Sequence, residues 1–127
     1  FNTFVRPSKW LLRILQERTE PRFVPCREGR VEDNLIVYRR ADVSVFVNIG
    51  PNTRPETFRF ARNVWFCEDA PARSRPDLPA PIPAEEGGTY GVDPRLREGL
   101  TLPPGSRLRA GADALPADEA PPRRRGR

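Results

Sequence analysis

Apolar residues recur at helical intervals near the start of the chain. Within residues 8–19, one face of a helix would carry Trp10, Leu11, Ile14 and Leu15. Ser8 suits the N-cap of such a helix, and Pro21 prevents its continuation because proline has no N–H to donate. The pattern therefore predicts a helix of about three turns, which needs a packing partner because short isolated helices are marginal in water.

Further along the chain, apolar and polar residues alternate in the manner of β-strands. The segments with this pattern are residues 22–26, 34–40, 43–49 and 57–67. A short polar turn separates the second segment from the third, which predicts a hairpin. The last segment is long for a strand, so a bulge is expected near Arg62 and Asn63.

These elements together predict an α+β domain over residues 1–69. A short N-terminal helix would precede a small antiparallel sheet of three or four strands. Alternation places Phe60 and Phe66 on one face of the last strand and Trp65 on the other. A single helix covers only one face of such a sheet, so we expect the second face to contact another protein, a pigment or lipid, or the chain's own tail.

The composition changes abruptly after residue 69. Residues 70–127, here called the tail, hold eleven of the sixteen prolines and seven of the nine glycines but a single aromatic residue, Tyr90. Such a segment buries too little apolar surface to offset about 1–2 kcal/mol of backbone entropy per ordered residue. We therefore expect a long Pro-rich extended tail that is ordered only by partner chains, and we find no internal repeat in the sequence.

Isolated apolar side chains occur every few residues along the tail. We expect each of them to insert into a groove of a neighbouring subunit. Proline favours such docking because it limits the conformational entropy that the chain loses on binding. Together with the helix and sheet faces, the residues expected at partner interfaces are Trp10, Leu11, Phe60, Trp65, Phe66, Tyr90, Leu100, Leu102 and Leu108.

The composition argues against catalysis. The chain has no histidine, the side chain most often used for acid–base chemistry near neutral pH. Acidic residues occur as adjacent pairs such as Glu85 and Glu86, which diverge on a strand and are solvated in a loop. Cys26 and Cys67 alone cannot complete a structural zinc site. We therefore expect no enzyme activity, no catalytic residue, no cofactor and no metal.

The net charge of +5 comes almost entirely from arginine, since Lys9 is the single lysine. Arginine binds phosphate in a bidentate manner, which suits RNA, although a GC-rich genome also favours arginine together with alanine and proline. Acidic residues are interspersed throughout, whereas a dedicated nucleic-acid binder concentrates its positive charge. The residues that would contact RNA are Arg39, Arg40, Arg59, Arg62, Arg123, Arg124 and Arg125.

No apolar stretch approaches the ~20 residues that span a bilayer. The chain contains no methionine, so Phe1 is expected to be a processing site or the first ordered residue of a longer precursor. This indicates an organelle, either a plastid thylakoid or a mitochondrion.

The leading hypothesis is a non-catalytic peripheral structural subunit that staples larger subunits of an organellar membrane complex. Such a complex would be a photosystem with its antenna or a respiratory complex. Several protein subunits would be its partners, and residues 8–19 would supply a contact with the membrane surface. The alternative is an organellar ribosomal protein that contacts ribosomal RNA through its arginines.

Overall fold

The computed structural model describes residues 1–112, which form eight short β-strands and two single 3₁₀ turns. The strands are β1 (Thr3–Val5), β2 (Leu12–Ile14), β3 (Arg30–Glu32), β4 (Leu35–Tyr38), β5 (Val47–Ile49), β6 (Arg59–Ala61), β7 (Val64–Cys67) and β8 (Thr89–Tyr90). The 3₁₀ turns span Pro55–Thr57 and Pro71–Arg73, and no helix in this part of the chain reaches seven residues.

Every strand pairs in parallel with its neighbours, and the chain winds through three sheets in turn. The first sheet has the order β1-β4-β7-β8, the second pairs β2 with β5, and the third pairs β3 with β6. Coil 1 therefore consists of β1, β2 and β3, coil 2 of β4, β5 and β6, and coil 3 begins with β7. The result is a β-solenoid-like arrangement in which each coil stacks in register on the next.

The predicted α+β fold, an N-terminal helix with an antiparallel sheet, is wrong. Residues 8–19 contain β2, which pairs with β5. The N–H groups of Leu11 and Leu12 both donate to the carbonyl of Phe46, and Ile14 is buried. An isolated three-turn helix gains little stability in water, whereas pairing with coil 2 satisfies the same backbone groups and buries apolar side chains as well.

The predicted hairpin is also wrong, because β4 and β5 belong to different sheets. Residues 39–46 turn a corner of the coil, and Val43 pairs only through an isolated bridge with Lys9. Val45 was expected to share the face of Val47, yet Val45 is 39% exposed and Val47 is 2% exposed. The alternation fails because β5 begins only at Val47.

Residues 57–67, predicted as one long strand, form two strands in two sheets. A corner at Arg62, whose φ of 54° is left-handed, separates β6 from β7 at the position of the predicted bulge. Strand alternation does not continue across such a corner. Phe60 and Trp65 therefore both point into the interior, whereas Phe66 lies on the outer face of β7.

Aromatic side chains fill the interior between the three sheets. The residues that stack in register through successive coils of the first sheet are Phe4, Ile36, Trp65 and Tyr90. Tyr38 and Phe46 contact Trp65 edge to face, at ring-centroid distances of 6.4 and 6.0 Å. This is the geometry that aromatic quadrupoles favour, so these three rings fix the relative positions of coil 2 and coil 3.

The Pro-rich segment after β7, residues 71–84, closes the C-terminal end of this interior. Ile82 is buried, and Leu78 packs against the same cluster of side chains. The Tyr38 hydroxyl donates to the carbonyls of Arg73 and Ser74, at 3.1 Å each. Burial raises the pKa of Tyr38 to about 12, so its hydroxyl stays protonated and available as the donor.

Residues 91–112, here called the outer strap, cover the outer face of the first sheet. The apolar residues that meet there are Leu35, Val64, Leu96, Leu102, Leu108 and Ala110. The N–H of Gly111 donates to the carbonyl of Asp33 at 2.8 Å. The tail thus contacts the chain's own sheet, and its ordering by partner chains stays a prediction.

Gly111→Ala is expected to loosen the outer strap. A Cβ atom at this position would lie 2.7 Å from Thr3 Oγ1 and 2.9 Å from Leu35 Cβ. Gly105→Ala is a matched control, because both glycines have a left-handed φ but nothing lies within 4 Å of a Cβ at Gly105. Urea titration should show a loss about 1–2 kcal/mol larger for Gly111→Ala. Equal losses would contradict the packing of the outer strap on β1 and β4.

Asp69 fastens the turn that follows β4 to the turn that follows β7. Its carboxylate accepts the backbone N–H groups of Arg40 and Ala41, at 2.7 and 3.1 Å, and the thiol of Cys67 at 3.1 Å. These donors, the thiol first, lower the pKa of Asp69 to about 2. Burial raises the pKa of Cys67, so its sulfur remains a thiol that can donate.

Acid is expected to remove the stabilisation that Asp69 provides. A carboxylate whose native pKa is lowered stabilises the fold above its unfolded pKa, near 3.8, and loses this effect as pH falls through about 2. Asp69→Asn should therefore lower Tm at pH 7 and differ little from the unsubstituted protein at pH 2. Asp77→Asn, which removes a carboxylate without these contacts, is the control. A deficit for Asp69→Asn that is the same at both pH values would exclude this role.

Candidate interaction edge

An asparagine stands immediately before the first strand of each coil. These residues are Asn2, Asn34 and Asn63, which are 32 and 29 positions apart. Asn34 Oδ1 accepts the backbone N–H and Nδ2 of Asn2, at 2.9 and 3.2 Å. Asn63 Oδ1 accepts the same two groups of Asn34, at 3.0 and 2.8 Å. In this asparagine ladder every donor belongs to the earlier coil and every acceptor to the later one.

The residues that precede the second and third ladder asparagines have left-handed backbones. Asp33 has a φ of 56° and Arg62 a φ of 54°, and each turns the chain from the third sheet into the first. Their side chains form a bidentate ion pair, at 2.8 and 2.6 Å, that links the two corners. Because Arg62 is exposed, the pair orients the corners more than it stabilises the fold.

Glu85 ends the asparagine ladder on its C-terminal side. Its Oε1 accepts the backbone N–H and Nδ2 of Asn63, at 3.0 and 2.7 Å. Its Oε2 accepts Trp65 Nε1 at 2.8 Å and the Tyr90 hydroxyl at 3.0 Å. Burial and the Glu85 charge raise the pKa of Tyr90, which keeps the hydroxyl protonated as a donor. An ionised carboxylate only accepts hydrogen bonds, so Glu85 cannot donate to a further coil and the ladder ends there.

At the opposite end the interior is only partly covered. Three inward-facing residues of coil 1 are half-buried, namely Phe4, Leu12 and Val31, whereas Ile14 is 2% exposed. Their register partners in coil 2, which are 1%, 2% and 1% exposed, are Ile36, Val47 and Phe60. At these three positions the residues of coil 2 are buried because they have a neighbour on each side, whereas those of coil 1 have a neighbour on one side only.

The strands of coil 1 also have unpaired backbone groups. Among residues 1–112, β1, β2 and β3 each lack a strand partner on the side away from coil 2. The N–H of Arg6 donates to the Val37 carbonyl, and successive peptide groups of a strand point to opposite sides, so the Val5 N–H faces the unpaired side. Asn2 is exposed, and its Oδ1 accepts no hydrogen bond from the described residues. We call this surface of coil 1 the open edge.

The residues predicted at partner interfaces occupy different parts of the structure. Those in or against the interior are Leu11, Phe60, Trp65 and Tyr90. Leu102 and Leu108 pack on the outer face of the first sheet. Phe66 and Leu100 lie together in a groove of about 590 Å³ between that face and the outer strap. Trp10 is half-buried just before β2, with the Arg13 guanidinium 5.9 Å from its ring centre.

None of these placements tests a partner contact, so the predicted interface roles stay predictions. The same holds for the membrane-surface contact of residues 8–19, which now depends on β2 and its flanking turns instead of a helix. Within residues 1–112, no helical segment has the length and apolar character needed to cross a bilayer. In the same range, no three Cys, Asp or Glu side chains are grouped in a way that could hold a metal ion, and both cysteines are free thiols.

The arginines predicted to contact RNA are divided between two places. Arg39 and Arg40 follow β4, and the Arg40 guanidinium lies 5.6 Å from the centre of the Phe46 ring. Arg59 and Arg62 lie at β6 and pair with carboxylates, Arg59 with Glu86 at 3.0 Å. Their contact with RNA stays a prediction, and Arg123, Arg124 and Arg125 lie outside the described residues.

Sequence reasoning missed the three ladder asparagines. Each begins the same short pattern, an asparagine followed by residues that alternate between outer and inner faces, in N-T-F-V, N-L-I-V and N-V-W-F. Similar spacing between the three copies is the signal of a coil repeat. The repeat is hidden because each copy is short and the spacing between copies changes from 32 to 29 positions.

Comparison of this chain with protein-family models, with curated proteins and with solved structures finds no match. A fold does not by itself imply a function. The open edge and the asparagine ladder therefore carry the functional inference.

Asn63→Ala is expected to destabilise the fold strongly. Asn63 is fully buried, and alanine at this position leaves two donors of Asn34 without their acceptor and removes the Nδ2 donor from Glu85 and from the Val31 carbonyl. We expect a loss of about 3 kcal/mol in urea unfolding. Asn48→Ala, on β5 and outside the ladder, is the matched control and should change stability by about 0.5 kcal/mol or less. A loss for Asn63→Ala as small as that of the control would contradict the importance of the ladder.

Proposed function

We propose that this chain is a non-catalytic structural module that closes one end of a parallel β-solenoid and joins a further protein segment at the other end. The observation that carries the proposal is the difference between the two ends. At one end, residues 71–84 and Glu85 cover the interior and end the asparagine ladder. At the other end, the open edge presents half-buried apolar side chains and unpaired strands.

The open edge is suited to bind another coil. A coil docked on the open edge would cover Phe4, Leu12 and Val31. It would remove their apolar surface from water, which is favourable by about 25 cal/mol per Å². Unpaired edges of β1, β2 and β3 supply backbone donors and acceptors for a further parallel strand. Stability in such stacks comes largely from contacts between neighbouring coils, so a segment that docks here would gain and confer stability together.

This role has the same general character as the staple predicted from the sequence, because both join other protein segments without catalysis. The setting within an organellar photosystem or respiratory complex stays a prediction, and so does the ribosomal alternative. Salt distinguishes the two, because release from RNA becomes steeply more favourable with salt, whereas release from an apolar protein edge does not.

The chain itself supplies a coil that can test the open edge. In an extended protein, a copy of residues 34–62 replaces Phe1, which places the copied asparagine 29 positions before Asn2, the offset that separates Asn34 from Asn63. The added coil is expected to dock on the open edge, to raise Tm by about 5 °C or more, and to slow amide exchange at Val5 at least about tenfold.

A second extended protein carries Ile36→Asp and Phe60→Asp within the added coil, and it should show neither effect because charged side chains would face the interior. If the first extended protein keeps the Tm and the Val5 exchange rate of the original chain, the open edge does not accept a coil and the proposed function fails.

A further inference from the structure

We propose that the open edge selects a partner coil that carries asparagine in register with Asn2, and this inference rests on the proposed function. The partner is a parallel β coil of another protein segment. Its asparagine would donate both its backbone N–H and its Nδ2 to Asn2 Oδ1, as Asn2 donates to Asn34 and Asn34 donates to Asn63.

The direction of the ladder determines what the partner must supply. Asn34 engages the backbone N–H of Asn2 and one hydrogen of its Nδ2, at 2.9 and 3.2 Å, so the group by which Asn2 can repeat the ladder toward a preceding coil is its carbonyl oxygen Oδ1. Once a coil docks, this oxygen is buried as those of Asn34 and Asn63 are. A buried acceptor without a donor costs free energy comparable to a lost hydrogen bond, so the partner must present a donor there.

Asparagine is the residue that fits this position. Its backbone N–H and its Nδ2 both reach the same oxygen in the two observed steps, at 2.8–3.0 Å where both residues are buried. Aspartate has the same length, but its ionised carboxylate carries no donor and would face another acceptor. Alanine supplies only the backbone N–H and leaves a gap beside Oδ1.

The register of the ladder also sets the partner's neighbouring residues. In the first sheet, Thr3 lies beside Leu35 and Phe4 beside Ile36. The residue after the partner's asparagine would therefore lie on the outer face above Thr3. The next one would lie in the interior above Phe4 and should be apolar. The expected partner pattern is asparagine, any outer residue, then an apolar residue.

A second copy of this chain does not meet these requirements. Its C-terminal end presents Gly88 at the ladder position, since Thr89 is in register with Val64. Gly88 has no side-chain amide, and residues 71–84 cover that end of the interior. In a head-to-head pair the second copy would present its own Asn2, whose backbone N–H is already used by Asn34, so that pair lacks the two donors of a ladder step. The open edge is therefore better matched to a different coil than to itself.

The test compares three versions of the extended protein, which carry asparagine, alanine or aspartate at the copied position 34 of the added coil. The docking equilibrium of the added coil is measured from amide exchange at Val5. We expect the docking equilibrium constant to fall about tenfold for Asn34→Ala within the added coil, which corresponds to about 1.4 kcal/mol. For Asn34→Asp it should fall further. The same three proteins are then prepared with Asn2→Ala, which removes the acceptor.

With Asn2→Ala in place, the difference between asparagine and alanine in the added coil should shrink to about twofold or less, because the two residues no longer interact. If the added coil docks equally well with all three residues, the asparagine selection is wrong and the proposed function stands. If no version docks, the proposed function itself fails.

Sedimentation of the original, unextended protein tests whether a second copy of this chain occupies the open edge. We expect a monomer across the micromolar range. Self-association that is abolished by Val5→Pro, which removes an N–H of the unpaired side of β1, would assign the open edge to a second copy and overturn the inference.

Discussion

The direction of the side-chain amide hydrogen bonds is the constraint on which the rest of this structure depends. Within the ladder, Asn2 and Asn34 each donate to the next asparagine and Asn63 donates to Glu85, while the second hydrogen of Asn63 Nδ2 goes to the Val31 carbonyl at 2.8 Å. A one-way chain of this kind needs a group that only accepts at one end and a group that supplies donors at the other. Glu85 is the group that only accepts, and its carboxylate also accepts hydrogen bonds from Trp65 and Tyr90. The two ends of the molecule are chemically different for this reason.

The sequence located four of the eight strands but not their partners. The strands β4, β5, β6 and β7 all lie within segments whose β-forming residues were recognised. Strand propensity reports how well a side chain fits a pleated, half-buried surface, and it carries no information on whether the neighbour is parallel or antiparallel. The short polar turn at 39–42 favoured a hairpin, although the same residues can equally begin a wide corner that leads to another sheet.

A left-handed corner explains the error in residues 57–67. Alternation from Phe60 to Phe66 assumed one continuous strand, and the left-handed backbone at Arg62 interrupts it, which places Phe60 and Trp65 in the same interior. Arginine at such a backbone gives no local signal, because glycine and asparagine are the residues normally expected there. The helix predicted at residues 8–19 is absent because the backbone there pairs in parallel with β5 of coil 2, although the apolar spacing also suits a helix.

The carboxylate of Glu85 has a consequence for how such a molecule could change in length. Copies of a coil added before Asn2 would repeat an arrangement already present twice, and each would leave the terminating group untouched. An insertion after Asn63 without an asparagine at its own ladder position would instead separate Asn63 from its acceptor. Solenoids of different heights could therefore share a single, unaltered stop, provided that each added coil begins with asparagine.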